Sequence, residues 1–404
     1  MPPFHVMLKP RGPICNLDCA YCFYLKKEQL YPGADFRMPP ALLEDFTRQY
    51  IQPQAAQGIP EVMFAFQGGE PTLMGLEFFR QALAFQQKVA PPGMKVLNAL
   101  QTNGTLLDDN WCAFLRENHI LVGLSLDGPQ PLHDAYRRDK AGRGTWQRVM
   151  RAAELLREHR VEFNILACVN ALTARRPLQV YRFLRDEVGA EFIQFIPIVE
   201  PESTRSALAE PISARSVSGA AYGRFLIAIF DEWLQRDVGQ VFVQIFDAAL
   251  AAWLGERPGL CIFEPTCGAA LALEHNGDLY ACDHFVSPPY LLGNITRTPL
   301  AELAASQQQV SFGLSKRDTL PRYCLECPVR FICNGGCPRE RLIPAPDGQP
   351  GLNVLCAGYR AFFTHIDPAM RLMADLLRQG RAPAEIMSMP RPQAPARERH
   401  KSRH

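Results

Sequence analysis

No apolar run in this chain reaches the eighteen or more residues that a membrane-spanning helix needs, so no membrane partner is expected. An excess of one charge is missing too. Lys and Arg number 43 against 41 Asp and Glu, a formal net charge of +2, which gives no electrostatic reason to expect nucleic acid. The N-terminus enters Phe4-His5-Val6-Met7-Leu8 without a charged segment, an apolar region and a cleavage site, so nothing directs export and the cytoplasm is the expected location. In that setting thirteen cysteines point to metal or redox use rather than to disulfides. What is present is an ordinary globular composition, 47% hydrophobic and 21% charged over 404 residues, enough for a large core and more than one domain.

From residue 4 to about 197, short β-branched and apolar runs alternate with longer amphipathic ones, the pattern of repeated βα units on a parallel sheet. Strands are predicted at 4–8, 61–66, 95–100, 121–126, 161–169 and 191–196, and helices at roughly 40–57, 75–90, 108–118, 145–159 and 173–187. Six strands are too few for an eight-stranded barrel and fit a partial α/β barrel, open on one side. In such an architecture catalytic groups sit on the loops that leave the C-terminal ends of strands.

The first of those loops carries Cys15-Asn16-Leu17-Asp18-Cys19-Ala20-Tyr21-Cys22. Thiolates this close cannot bridge one another without strain, so metal ligation is favoured over disulfide formation. No fourth Cys or His lies nearby to close a zinc site, and three thiolates on a four-iron cube leave one iron open for a small-molecule ligand. Later loops hold Gln67-Gly68-Gly69-Glu70-Pro71, Gln101-Thr102-Asn103-Gly104 and Ser125-Leu126-Asp127-Gly128. Gly69 lets the backbone approach a ligand closely and Glu70 can accept from an ammonium, although Gly-Gly-Glu, Asn-Gly and Asp-Gly also form plain turns. Arg137, in His133-Asp134-Ala135-Tyr136-Arg137-Arg138, offers a fork that matches a carboxylate at two points.

Continued by Phe23-Tyr24, the cysteine loop resembles the signature of the radical S-adenosylmethionine (radical SAM) enzymes. The resemblance implies that a [4Fe-4S] cluster on Cys15, Cys19 and Cys22 chelates SAM and splits it to a 5′-deoxyadenosyl radical. It implies Tyr21, Gly69 and Glu70 about the SAM amine and Arg137 at its carboxylate. Ser125 would face the ribose or substrate, and the backbone at Val199, after Ile196-Pro197, the adenine or reacting centre.

From Cys261 the texture changes, with Cys261, Cys267, Cys282, Cys324, Cys327, Cys333, Cys337 and Cys356 inside a hundred residues. Eight thiolates can saturate two four-iron clusters or serve zinc sites, and spacing alone leaves their division open. Cys112 and Cys168 read as buried structural cysteines. Around Asn276-Gly277, the strongest short hairpin signal, two apolar runs predict a β-hairpin that presents Cys282 and Asp283. The block resembles the SPASM extension of peptide-modifying radical SAM enzymes. That resemblance assigns Cys261, Cys267, Cys282 and Cys337 to one auxiliary cluster, and Cys324, Cys327, Cys333 and Cys356 to the other. The expected domains are a barrel over 1–200, connecting loop and helices over 201–260, the SPASM block over 261–357, a C-terminal helix over 358–387 and a disordered basic tail over 388–404.

Nearly the whole chain is similar to the anaerobic sulfatase-maturating enzymes. They oxidise a cysteine or serine of an unfolded sulfatase to Cα-formylglycine, with electrons from a flavodoxin or ferredoxin. The likeness implies that the radical takes hydrogen from the target Cβ, that Asp283 removes the hydroxyl or thiol proton, and that the Cys282 cluster accepts an electron. Three alternatives remain: a maturase of another peptide, disfavoured by the fourteen residues before Cys15; an oxidase of a small aminocyclitol alcohol; and a non-catalytic zinc scaffold that binds unfolded clients.

Overall fold

The computed structural model describes residues 4–201 and 212–389. Most of the basic tail expected over 388–404, and part of the long connection after residue 200, lie outside them. No helix among the described residues is long and apolar enough to cross a membrane.

Six parallel strands form in the expected places: β1 (His5–Lys9), β2 (Glu61–Phe66), β3 (Lys95–Thr102), β4 (Leu121–Ser125), β5 (Phe163–Val169) and β6 (Phe192–Pro197). Alternate side chains drive their assembly, since Val6, Leu8, Val62, Phe64, Leu100, Val122, Leu124 and Ile165 are all at most 3% exposed. Helices over Pro40–Ala56, Leu76–Val89, Asp109–Glu117 and Trp146–Glu158 cross between strands and cover the sheet. The helix expected over 173–187 is broken instead into a 3-10 turn (Thr173–Arg175), an α-helix (Pro177–Arg182) and a π turn (Phe183–Glu187). Pro177 supplies no N–H and disfavours helical backbone at the residue before it, so it starts a new helix rather than continuing one.

Two features of the sheet were not expected. A seventh, two-residue strand, β7 (Phe242–Val243), adds in parallel to β6, too short to show a periodic signal. On the other side the predicted hairpin forms, β8 (Ala270–Glu274) and β9 (Asp278–Tyr280), with Gly277 at φ +91° in its turn. β8 also pairs in parallel with β1, from His5 opposite Ala270 to Lys9 opposite Glu274. With β10 (Leu291–Asn294) the result is one ten-stranded sheet, ordered β10-β9-β8-β1-β2-β3-β4-β5-β6-β7. It remains open, edged by β10 and β7 among the described residues.

The C-terminal helix expected over 358–387 runs from Cys356 to Arg378. It packs chiefly on the helices Gly219–Arg236 and Gln244–Leu254 that follow β6. Tyr359, Phe362, Phe363, Ile366, Met370 and Met373 recur at helical spacing on its buried face. The main core runs continuously from the barrel into the cysteine-rich block, where Phe263, Ile295 and Ile332 belong to it.

Candidate functional site

Because the strands run parallel, their C-terminal ends open at one mouth, and the cysteine loop lies across it. Gly12 N donates to Lys9 O at 2.9 Å to turn the chain out of β1. The exit of β2 then backs the loop: Gly69 N donates to Gly12 O at 2.7 Å and Glu70 N to Ile14 O at 2.9 Å. A Cβ on Gly69 would collide with the Ile14 carbonyl. The space its missing side chain leaves is therefore filled by the cysteine loop.

Glu70 is 1% exposed. Oε1 accepts from Thr72 N at 3.1 Å and from the Thr72 and Thr102 hydroxyls, each at 2.7 Å, and Oε2 accepts from Asn103 N at 2.8 Å. Three of these donors crowd Oε1 and one uses Oε2, and since each carboxylate oxygen has two acceptor sites, Oε2 keeps one that an ammonium can use. Burial raises the Glu70 carboxyl despite those donors. Asn103 donates from Nδ2 to Asn16 Oδ1 at 2.8 Å, and the same nitrogen lies 3.6 Å from Cys15 Sγ.

Arg137 and Tyr21 meet at Asp127. Arg137 Nε and Nη2 donate to the two Asp127 oxygens at 3.0 and 3.1 Å, the Tyr21 hydroxyl donates to Oδ2, and Cys168 N donates to Oδ1 at 2.9 Å. The two-point fork expected to grip a ligand's carboxylate is thus committed to Asp127, and the guanidinium lies 5.5 Å from the Tyr21 ring centre. Its segment holds the cysteine loop directly, with Asp18 N donating to Arg138 O and Ala20 N to Tyr136 O. Cys168 is drawn into this cluster, 3.6 Å from Arg137 Nη2, whereas Cys112 is buried in the core as expected. Ser125 ends β4 with no hydroxyl partner among the described residues, and Val199, 9% exposed, follows β6.

The thiols are poor anions by themselves. Burial pushes Cys15 up to about 11, with Glu70 and Cys22 adding to the rise, and Cys19 up to about 12 against the pull of Arg137. Such thiols become thiolates only against metal cations, which is the donor chemistry an iron–sulfur cluster requires.

The eight C-terminal cysteines fall into two groups. Cys324, Cys327, Cys333 and Cys356 line one cavity with Arg330 and Arg360. Cys282 feels the charge of Cys261 and Cys267, and Cys337 that of Cys282 and Cys267. Burial raises both of these last two thiols, Cys282 to about 12. Two cations the sequence did not flag, one buried and one half-buried, adjoin these groups. Lys316, fully buried, donates to Cys261 O at 2.8 Å and Ile262 O at 2.9 Å, and Arg341 Nη1 donates to Lys316 O at 2.8 Å. Among the described residues no three His, Cys, Asp or Glu side chains converge at single-ion spacing. A four-iron cube spreads its thiolates farther apart than one zinc ion does, so the donor sets fit clusters better than zinc.

The pairing of β8 with β1 brings the hairpin to the mouth. Asp283, 8% exposed, opens a 3-10 turn just past β9 and pairs through Oδ1 with the ammonium of Lys9, the last residue of β1. Burial raises its carboxyl, but Lys9, His284 and Arg339 together hold it below the usual carboxylate value. Buried Oδ1 has no hydrogen-bond partner beyond the Lys9 ion pair, and no hydrogen bond reaches Oδ2 among the described residues. His284 Nδ1 lies 3.6 Å from Cys337 Sγ, so the acid sits between the front loop and one group of rear cysteines.

The Radical SAM superfamily model matches residues 10–184, and an iron-sulfur cluster-binding domain (SPASM) matches 261–328. The serine-type anaerobic sulfatase-maturating enzyme of Bacteroides thetaiotaomicron is 45% identical over 400 residues, covering 95% of this chain and 94% of that protein. The cysteine-type enzyme of Clostridium perfringens is 33% identical, covering 94% of this chain and all of that protein. The solved structure of native anSMEcpe with bound AdoMet and Cp18Cys peptide superposes with a TM-score of 0.82 at 34% identity, over 93% of this chain and all of that one. With the front cysteine loop and the rear cysteine block both in place, a match at 45% identity along nearly the whole of both chains settles the family: this chain belongs to the anaerobic sulfatase-maturating enzymes of the radical SAM superfamily.

Proposed function

We propose that this chain oxidises a serine or cysteine side chain of an unfolded sulfatase to Cα-formylglycine in the cytoplasm, with a flavodoxin or ferredoxin as external reductant. Residues 1–200 act as the radical-generating barrel and 261–357 as the auxiliary-cluster domain, joined by 201–260. Cys15, Cys19 and Cys22 would hold a [4Fe-4S] cluster that, with SAM on its open iron, supplies the hydrogen-abstracting radical, and the two rear cysteine sets would hold the clusters that take up an electron. The chain's own residues do the rest. Asp283 Oδ2, without a protein donor among the described residues, takes the proton of the target hydroxyl or thiol, on the side where Cys282 would hand the electron on. Thr102 and Asn103 fix Glu70 beside the cysteine loop, and Ser125 offers at the same mouth a hydroxyl without a partner among the described residues.

The observation that carries this reading is the β8–β1 register, because it sets an acid from the rear domain against the strand that launches the front cysteine loop. Higher identity to serine-type than to cysteine-type relatives favours serine as the preferred target. Anaerobic incubation with SAM, reductant and a peptide containing Ser- or Cys-x-Pro-x-Arg tests it. The expected result is the mass loss of aldehyde formation by a brown protein carrying about twelve irons per chain. SAM surviving intact under reduction, or a colourless protein carrying zinc, would contradict it.

A further inference from the structure

Lys9 stands out among the groups this mechanism leaves unused. It closes a strand, a place where a lysine ordinarily reaches solvent, yet it is 1% exposed. Its main chain is fixed by the turn to Gly12, and its stem lies against Gly68, where a Cβ would come within 3.3 Å of Lys9 Cδ. The ammonium sits 4.6 Å from the centre of the Tyr24 ring and pairs with Asp283 Oδ1. Across the strand pair stands Glu274, whose Oε1 accepts the Tyr24 hydroxyl and so holds that ring under the ammonium. Every contact of Lys9 that bears charge therefore points toward the front of the hairpin.

Burying an ammonium and a carboxylate costs desolvation that an apolar pair of the same volume avoids, so stability alone is a poor reason to keep this pair. We propose that Lys9 is a positioning residue for the oxidation: by binding one oxygen of Asp283 it fixes the carboxylate so that the other faces the peptide's hydroxyl or thiol. The proposal rests on the reading of Asp283 as the base. Held from the barrel side, the acid keeps its aim while the peptide comes and goes, although it is carried on a short turn of another domain.

The test uses reconstituted full-length enzyme with SAM, reductant and a serine peptide, and reads aldehyde, 5′-deoxyadenosine and peptide Kd separately. Lys9→Met is expected to lower aldehyde formation at least about tenfold, while deoxyadenosine formation and peptide Kd stay within about twofold. Lys9→Arg should restore part of the loss. In an Asp283→Asn background, Lys9→Met should add nothing, because both changes disable the same group. The proposal is overturned if Lys9→Met keeps the wild-type ratio of aldehyde to deoxyadenosine, or if the two losses multiply in the double variant. Should Lys9→Met fail to take up its irons, Lys9→Arg decides, since a displaced carboxylate lowers that ratio and a merely structural cation leaves it unchanged. Full oxidation by Asp283→Asn alone would remove the base reading itself, whereas an uncoupled Asp283→Asn beside a coupled Lys9→Met would remove only the part given to Lys9.

Discussion

Arg137 shows how far single residues can be read from sequence. Its type was legible, a guanidinium in a loop after β4, but not its partner, because Asp127 stands ten residues away in what reads as an Asp-Gly turn. A bidentate pair with Asp127 that is 9% exposed on one side chain and 0% on the other is a support for the cysteine loop. Removing one member of such a pair leaves a buried charge, so Arg137→Met should lower stability by about 3–5 kcal/mol, read as a fall in thermal midpoint of the metal-free protein. An unchanged midpoint with only weakened SAM binding would return Arg137 to the ligand role its fork suggested. Glu70 and Gly69 teach the same lesson, since a loop of Gly-Gly-Glu signals close approach without saying that the approaching group is the Ile14 carbonyl.

At the scale of elements, periodicity served well wherever an element packs by its own pattern. The six barrel strands and four of the five predicted barrel helices fall within two residues of their expected ends, and the Asn-Gly hairpin formed. Elements fixed by distant partners were invisible. Helix Cys356–Arg378 was legible as a helix, but its docking depends on glycines in two separate segments. Gly358 lies against the backbone of Gly219 and Gly223, and a Cβ there would collide with the Gly219 carbonyl. Main chain cannot yield as a side-chain tip can, so Gly358→Ala should destabilise by roughly 1–3 kcal/mol. Cys356 begins the same helix, so this variant should also lose iron from the set it shares with Cys324, Cys327 and Cys333. Thermal unfolding with iron analysis checks both, and an alanine variant with wild-type stability and iron would show that the two helices can separate freely.

Across the whole molecule the decisive contact is the one that local sequence could least reveal. β1 and β8 are separated by some 260 residues, and parallel pairing between distant strands leaves no mark in either. That pairing makes one sheet of the barrel and the cysteine-rich block. It puts Lys9 opposite Glu274, and Asp283 at the edge of the front loop. The rear cysteines could be counted in the sequence, and their division into two sets came from resemblance, but the route by which their domain reaches the radical site required the register. The most direct test of this account is the yield of 5′-deoxyadenosine and of aldehyde from Asp283→Asn with a peptide deuterated at the target Cβ. Deuterium is expected in the deoxyadenosine with little or no aldehyde, hydrogen abstraction having outlived the loss of the proton acceptor. Aldehyde formed in step with deoxyadenosine, as in the unaltered enzyme, would contradict it.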